Sequence, residues 1–441
     1  LKELVSDLNS GEVSDLFILD TNPVYEAPAD LDFASAIKKA AFRVHAGLYK
    51  NETSKYCSWQ LPLSHYLESW GDGLAFDGTA TVIQPLIRPL YSTKSMHEIV
   101  GILSGDDEAV GHKVVQDYWK SRSKAIDFKT EWDRILHDGW IRDSAFKTQD
   151  LSLRADLSID PEITSGLEDQ LEVIFRPDPY LGVGRYSNNG WLQELPKPLT
   201  RLTWDNAVLV SPATAKKLGL QNGQMVELEY EGAQTEGPAW ILPGHAPNSV
   251  TLHMGYGRSG VGKIADENGF NVNRIRTAAA PLFGLGLKVQ KTGKSMKLAS
   301  TQDHHAMHDR HLIRTADKDD YEHHPDFAQH VVHVPKPTDT LYKPEEHLKA
   351  DNQWAMTIDL NACVGCGACT VACQSENNIP VVGKEEVANG RELHWIRVDR
   401  YYSGDLENPE TSHQPVPCMQ CENAPCEPVC PVGATTHSPE G

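Results

Sequence analysis

Residues 14–20, Ser-Asp-Leu-Phe-Ile-Leu-Asp, form a short apolar run closed by Thr21-Asn22-Pro23, which predicts a strand. Residues 34–41 are rich in Ala and Lys and predict a helix, and residues 42–48 alternate like a strand. Helical spacing returns at 94–103 and 114–121. Strands alternating with helices favour a layered, largely parallel sheet. From residue 165 the pattern turns toward β, with period-two alternation at 171–176 and 225–230. Between these lies one well-punctuated helix, with Ser211 as N-cap, Pro212 at its first position and Gly219 just past its end. Asn222-Gly223 then marks a tight turn. A β-barrel with short helical inserts fits this stretch. Residues 354–360 and 394–401 read as two further strands flanking the first cysteine motif.

The resulting expectation is a multidomain chain: an α/β layered domain over 1–150, a β-barrel over 151–290, a His-rich linker over 291–350 and a ferredoxin-like α+β domain over 351–441. The length of 441 residues agrees, since domains average roughly 150 residues. Lys plus Arg number 41 and Asp plus Glu 61, a net charge of −20, which argues against nucleic acid as a partner. No apolar stretch approaches the ~18 residues of a membrane-spanning helix, so a membrane would be reached only through partners. The chain opens at Leu1 without Met and closes soon after a cysteine motif, and both ends read as cuts within a longer polypeptide.

Candidate chemistry is concentrated at one end. Eight of the nine cysteines fall in two runs. Cys363-Val-Gly-Cys366-Gly-Ala-Cys369-Thr-Val-Ala-Cys373 has C-x2-C-x2-C-x3-C spacing; Cys418, Cys421, Cys426 and Cys430, followed by Pro431, have C-x2-C-x4-C-x3-C spacing. Three thiolates on a tight loop can cap three irons of a cubane cluster, and a fourth comes from another run. Gly365 and Gly367 allow positive φ and bring backbone N–H groups toward sulfur. Zinc ribbons and disulfides do not need so dense a run. All eight cysteines are therefore expected to be metal ligands. Taken alone, they form two sets: Cys363, Cys366, Cys369 with Cys430, and Cys418, Cys421, Cys426 with Cys373. Cys57 reads as a small buried hydrophobe. Nine of the 19 histidines lie in 291–350, including His304, His305, His308 and His311, in no zinc or haem spacing. No acid–base pair or nucleophile is picked out, so no catalytic residue is expected.

The two cysteine runs, with Gln374-Ser-Glu-Asn-Asn-Ile-Pro380 after the first, resemble the electron-transfer subunits of polysulfide- and DMSO-reductase-type complexes. That resemblance implies four such runs, the first paired with the fourth and the second with the third, so Cys373 and Cys430 would complete clusters with ligands beyond Gly441. It also implies [4Fe–4S] clusters, with room for one [3Fe–4S] among them. The earlier part of the chain resembles the C-terminal half of molybdopterin-dependent oxidoreductases. The carriers are Glu52-Thr53, Leu61-Pro62, Leu67-Glu68, Asp77-Gly78, Gln84-Pro85, residues 211–223, Leu242-Pro-Gly244, residues 255–258 and Asn271. Gly71-Asp72 stands where the molybdenum enzymes carry Gly-Thr. The fusion of both parts is similar to the large iron–sulfur subunit of bacterial alternative complex III. It implies a barrel of double-psi type, no Mo-pterin, an integral-membrane quinol-binding partner, c-type cytochrome partners and a place on the periplasmic side of the inner membrane. A molybdenum-dependent reductase of polysulfide, tetrathionate or DMSO type is the alternative.

Overall fold

The computed structural model describes residues 1–153, 170–333, 335–336, 338–339, 355–421 and 424–436. The chain forms two compact units. The first comprises 1–169 with 258–267 and 273–281; the second comprises 170–257, 268–272 and 282–441.

In the first unit, β1 (Asp15–Leu19), β2 (Phe42–Gly47) and β3 (Trp59–Pro62) form a parallel sheet in the order β1-β2-β3. Alternation puts Leu16 and Ile18 inward, where they pack with Val5 and Leu8 of the helix Lys2–Ser10 and with Phe33 and Ile37. The expected helix over 34–41 is shorter: an α-turn at Phe33–Ala36 passes into a 3-10 turn at Ile37–Lys39. β4 (Gly71–Leu74) and β5 (Ala80–Ile83) form a hairpin. Three helices follow, Met96–Leu103, Gly111–Arg122 and Phe128–Asp138. Ser95 caps the first through a reciprocal bond with Glu98, which starts that helix at Met96 rather than Lys94.

The second unit is built on a closed six-stranded barrel in the order β10-β8-β11-β6-β12-β9. Its strands are β6 (Leu171–Pro177), β8 (Val208–Val210), β9 (Gln224–Tyr230), β10 (Ala233–Ile241), β11 (Ser249–Met254) and β12 (Phe283–Ser295). The short β7 (Leu202–Thr203) pairs outside it with β13 (Ala299–Ser300). Alternation sets β6 and β9, burying Val173 and Phe175 and Val226 and Leu228, whereas β11 is buried on both faces from Ser249 to Leu252. The helix Pro212–Leu218 is capped as its sequence predicts. Ser211 Oγ accepts from Thr214 N, and Gly219 closes it at φ +64°.

The cysteine-bearing end is α+β and lies in this same unit. β14 (Arg397–Ser403) and β15 (Glu410–Val416) form an antiparallel ribbon, with the helices Ala368–Glu376, Lys384–Ala388 and Cys426–Val429. The expected strand over 394–401 therefore starts three residues later, where pairing with β15 begins. The strand expected over 354–360 does not form among its described residues, 355–360. No partner strand takes its ladder bonds, and Asp359 turns the chain by accepting from Asn361 N and Ala362 N. Of the His-rich stretch, described parts include short helices at Lys318–His323 and Phe327–His330. His304 and His308 stack edge to face at 5.1 Å.

Candidate functional site

The first cysteine run is a loop leading into a helix. Gly365 and Gly367 take φ of +67° and +73°, so the chain coils between Cys363 and Cys369 before the helix Ala368–Glu376 begins. Gly367, Thr370 and Gln374 form the buried face, while Cys366 and Cys369 are exposed. Spacing thus sorts the helix into a docking side and a sulfur side. A Cβ on Gly367 would meet Leu195 and the Tyr180 hydroxyl at 3.2 Å, and one on Gly365 would fall 2.4 Å from His413 Nδ1. Both glycines are thus needed for close approach as well as for φ.

The second run carries the short helix Cys426–Val429, and Cys430 follows it. Ala434 N donates to Cys430 Sγ at 3.3 Å. That bond, with the N–H groups of Val432, Gly433 and Thr435, holds the Cys430 thiol below its usual pKa. Backbone dipoles aimed at a sulfur are what a thiolate ligand requires. At Cys373 the Asn377 amide reaches Sγ at 3.6 Å. Cys373 and Cys418 line one cavity of about 750 Å³ with Met356, Trp395 and Met419. None of the nine cysteines is in a disulfide. Among the described residues, no three His, Cys, Asp or Glu groups stand together at metal-binding spacing. The donor set nevertheless fits iron–sulfur clusters: unpaired thiols on glycine-bearing loops, with backbone N–H groups turned to sulfur. Cys57 packs half-buried against the core of the first unit, and burial pushes its thiol pKa up.

Docking of the cysteine module on the barrel uses residues that sequence reading missed. Glu194, fully buried, accepts from Val382 N at 3.0 Å and Gly383 N at 2.8 Å. Trp191 Nε1 donates to Ile379 O at 2.7 Å, and Lys384 Nζ meets Asp205 Oδ2 at 2.6 Å. Burial raises the Glu194 carboxyl pKa against the pull of those two N–H groups. No short-range pattern marks these partners, which lie roughly 180–190 residues apart in the chain.

On the barrel, a cavity of about 500 Å³ is lined by Arg176, Lys197, His245, Thr251 and His253 among others, with no carboxylate among the described residues of its wall. Lys197 bonds Tyr256 Oη at 2.6 Å and stands 3.5 Å from the buried Asp178. Burial pushes His253 down to about 4, so it is neutral at pH 7. Arg176 and Lys197, with the His245 ring bonded to Thr251 Oγ1 at 2.9 Å, give the cavity a cationic, polar wall of the kind that suits a phosphate-bearing ligand.

Two family models match the chain: a molybdopterin dinucleotide binding domain over residues 184–282 and a 4Fe–4S dicluster domain over 362–434. The first overlies much of the barrel, the second both cysteine runs. Among curated relatives, the iron–sulfur cluster-binding subunit of menaquinone reductase from Nitratidesulfovibrio vulgaris is 43% identical over 91 residues, 20% of this chain and 35% of its own length. A selenate reductase subunit from Mesobacillus selenatarsenatis is 43% identical over 95 residues, 20% of this chain and 27% of its own. The molybdopterin-binding-like subunit of menaquinone reductase, also from N. vulgaris, is 24% identical over 287 residues, 62% of this chain and 40% of its own. The chain thus spans well under half the length of each of these relatives.

Two expectations are corrected by these matches. Absence of Mo-pterin does not stand, because the barrel carries the molybdopterin dinucleotide match. Gly71-Asp72, on which that absence leaned, lies outside the matched residues. There Asp72 is engaged by Trp119 Nε1 at 2.9 Å and His97 at 3.5 Å, a local role that says nothing of the barrel. The specific likeness to alternative complex III also falls. The relatives include subunits of menaquinone, selenate, tetrathionate and arsenate reductases, since cysteine spacing fixes cluster chemistry and not the complex that uses it. What the chain is similar to is, at one end, iron–sulfur subunits of respiratory reductases and, at the other, their molybdopterin-binding counterparts.

Proposed function

We propose that this chain is the electron-transfer component of a quinone-linked respiratory reductase complex, joining iron–sulfur and molybdopterin-type modules in one polypeptide. The observation that carries the reading is the presence of two four-cysteine runs in one compact unit with a molybdopterin-type barrel, the first run packed by Gly367 on Leu195 and Tyr180. Cys363, Cys366, Cys369, Cys373, Cys418, Cys421, Cys426 and Cys430 are the ligands. When bound, the clusters exchange single electrons. The chain's own part is to supply thiolates, to orient them through the left-handed turns at Gly365 and Gly367, and to bury one side of the loop against the barrel. Arg176 and Lys197 would hold the anionic part of a pterin dinucleotide. A molybdenum-dependent reductase of polysulfide, tetrathionate or DMSO type is the form best supported by the named relatives.

No helix among the described residues is long and apolar enough to cross a membrane, and the proposal assigns exchange with quinone to an integral-membrane partner. The periplasmic side of the bacterial inner membrane and a c-type cytochrome as the other electron partner complete the proposal. Metal and sulfide analysis of anaerobically purified protein tests it, together with EPR before and after dithionite. Iron and acid-labile sulfide in cubane proportion, molybdenum or tungsten with pterin, and loss of one EPR signal in Cys366→Ser are expected. Protein holding zinc and no labile sulfide would overturn it.

A further inference from the structure

Arg201 and Arg400 are 2% and 5% exposed, and each leaves its Nε without a hydrogen-bond partner. Arg201 is held at φ +59°, a left-handed conformation rare outside glycine, and donates only locally, to Pro198 O. Arg400 lies over the Tyr402 ring at 4.4 Å. The carboxylate acting on Arg201 is Asp399, which is already engaged by Arg397 at 3.0 Å. Besides Asp399, Glu392 lines the cavity beside Arg201 with its Oε2 unbonded; two neighbouring guanidiniums buried among so few carboxylates are costly, and such a cost persists where something else balances it.

The structure puts both arginines directly behind the first cysteine loop. Each acts on His413, whose ring packs on Gly365 between Cys363 and Cys366. A cavity of about 80 Å³ is lined jointly by Arg201, Gly367 and Thr370, with Glu392, Arg397 and Asp399 also in its wall. Tyr180, which feels Arg201, also feels Cys366 and Cys369. A cubane cluster with thiolate ligands is anionic in both redox states and gains a further negative charge on reduction. We infer that Arg201 and Arg400 are the counter-charge of the cluster bound by Cys363, Cys366 and Cys369, raising its reduction potential and tying cluster loading to barrel stability. This rests on the iron–sulfur reading above. Only an electron moves in the step, and fixed cations favour its arrival because cluster potentials follow local charge.

The test is a thermodynamic cycle on the native protein with Arg201→Met and Arg400→Met, each melted with clusters in place and after iron removal by chelation. Loaded variants are expected to melt below loaded wild type, and iron-free variants above iron-free wild type, because the uncompensated charge is gone. EPR redox titration is expected to show a lower midpoint potential for one signal, the one that Cys366→Ser removes, with Arg201→Lys restoring it. Equal destabilisation in both forms, an unchanged potential, or variants that fold in neither form would each overturn the proposal, since any of these makes the arginines purely structural. Wild type with no cluster signal at all would sink the iron–sulfur reading itself, and this inference with it.

Discussion

Gly365 concentrates two demands on one position, a φ of +67° and a would-be Cβ 2.4 Å from the His413 ring. A side chain in left-handed backbone costs roughly 1–2 kcal/mol before any clash is counted. Gly365→Ala is expected to keep the barrel fold by circular dichroism and to lose the iron held by the first run. Full iron content in that variant would show that the loop does not need the turn. A second residue-scale case lies in the first unit. Glu52 is gripped by Arg258 at 2.9 Å, Asn22 at 2.8 Å and Ser259 N at 3.0 Å. Burial alone would raise its carboxyl pKa, but these partners outweigh it and hold it at about 2, against 4.5 in an open chain. A depressed carboxylate stabilises fully above its unfolded pKa, and that contribution is lost as pH falls from about 4.5 toward 2. Glu52→Gln should therefore cost on the order of 3 kcal/mol at pH 7 and little near pH 2. Melting both proteins across that range checks it, and a cost that does not shrink in acid would refute the ion pair's role. The Glu-Thr pair was visible in the sequence. Residues 255–258 were picked out too, but not that Arg258 meets Glu52 across 206 residues.

At the scale of elements, local punctuation was legible because it acts over three or four residues. Ser211, Pro212 and Gly219 bracket their helix as read, and Ser95 with Glu98 sets the start of another. Ser211→Ala is expected to lower stability by about 1 kcal/mol in chemical denaturation, the usual loss for an N-cap. No change would mean that the fully buried Ser211 is held by packing instead. Strands were less legible, because a strand needs a partner that its own residues do not specify. Residues 355–360 have strand-like composition and no partner, whereas Arg397–Ser403 exists because β15 meets it in register. The helix Ala368–Glu376 is weakly patterned, and Thr370 is buried because distant residues cover it: its hydroxyl donates to Ile396 O, and Leu195 and Arg201 stand beside it.

For the molecule as a whole, the decisive contacts are those that fix the cysteine module on the barrel. Glu194 has no exposed surface and satisfies two backbone N–H groups just ahead of the helix Lys384–Ala388. Removing a buried acceptor strands both donors, at about 1–3 kcal/mol each. Glu194→Ala should speed hydrogen exchange around residues 379–388 and weaken cluster retention, while barrel strands stay protected. Uniform loss of protection would instead mark Glu194 as part of the barrel core. Sequence alone pointed to an iron–sulfur domain, which the dicluster match over residues 362–434 supports, because a cluster loop is a local object whose cysteine spacing and glycines can be counted. It also marked the inward faces of β6 and β9, since alternation is a property of each strand by itself. Only tertiary structure decided which strands close the barrel, which side of the cysteine loop is buried, that Glu194 and Lys384 fasten residues 382–384, and that Arg201 and Arg400 face His413 behind the loop. Those residues act across long separations in the chain, where no local periodicity records which charge will face which.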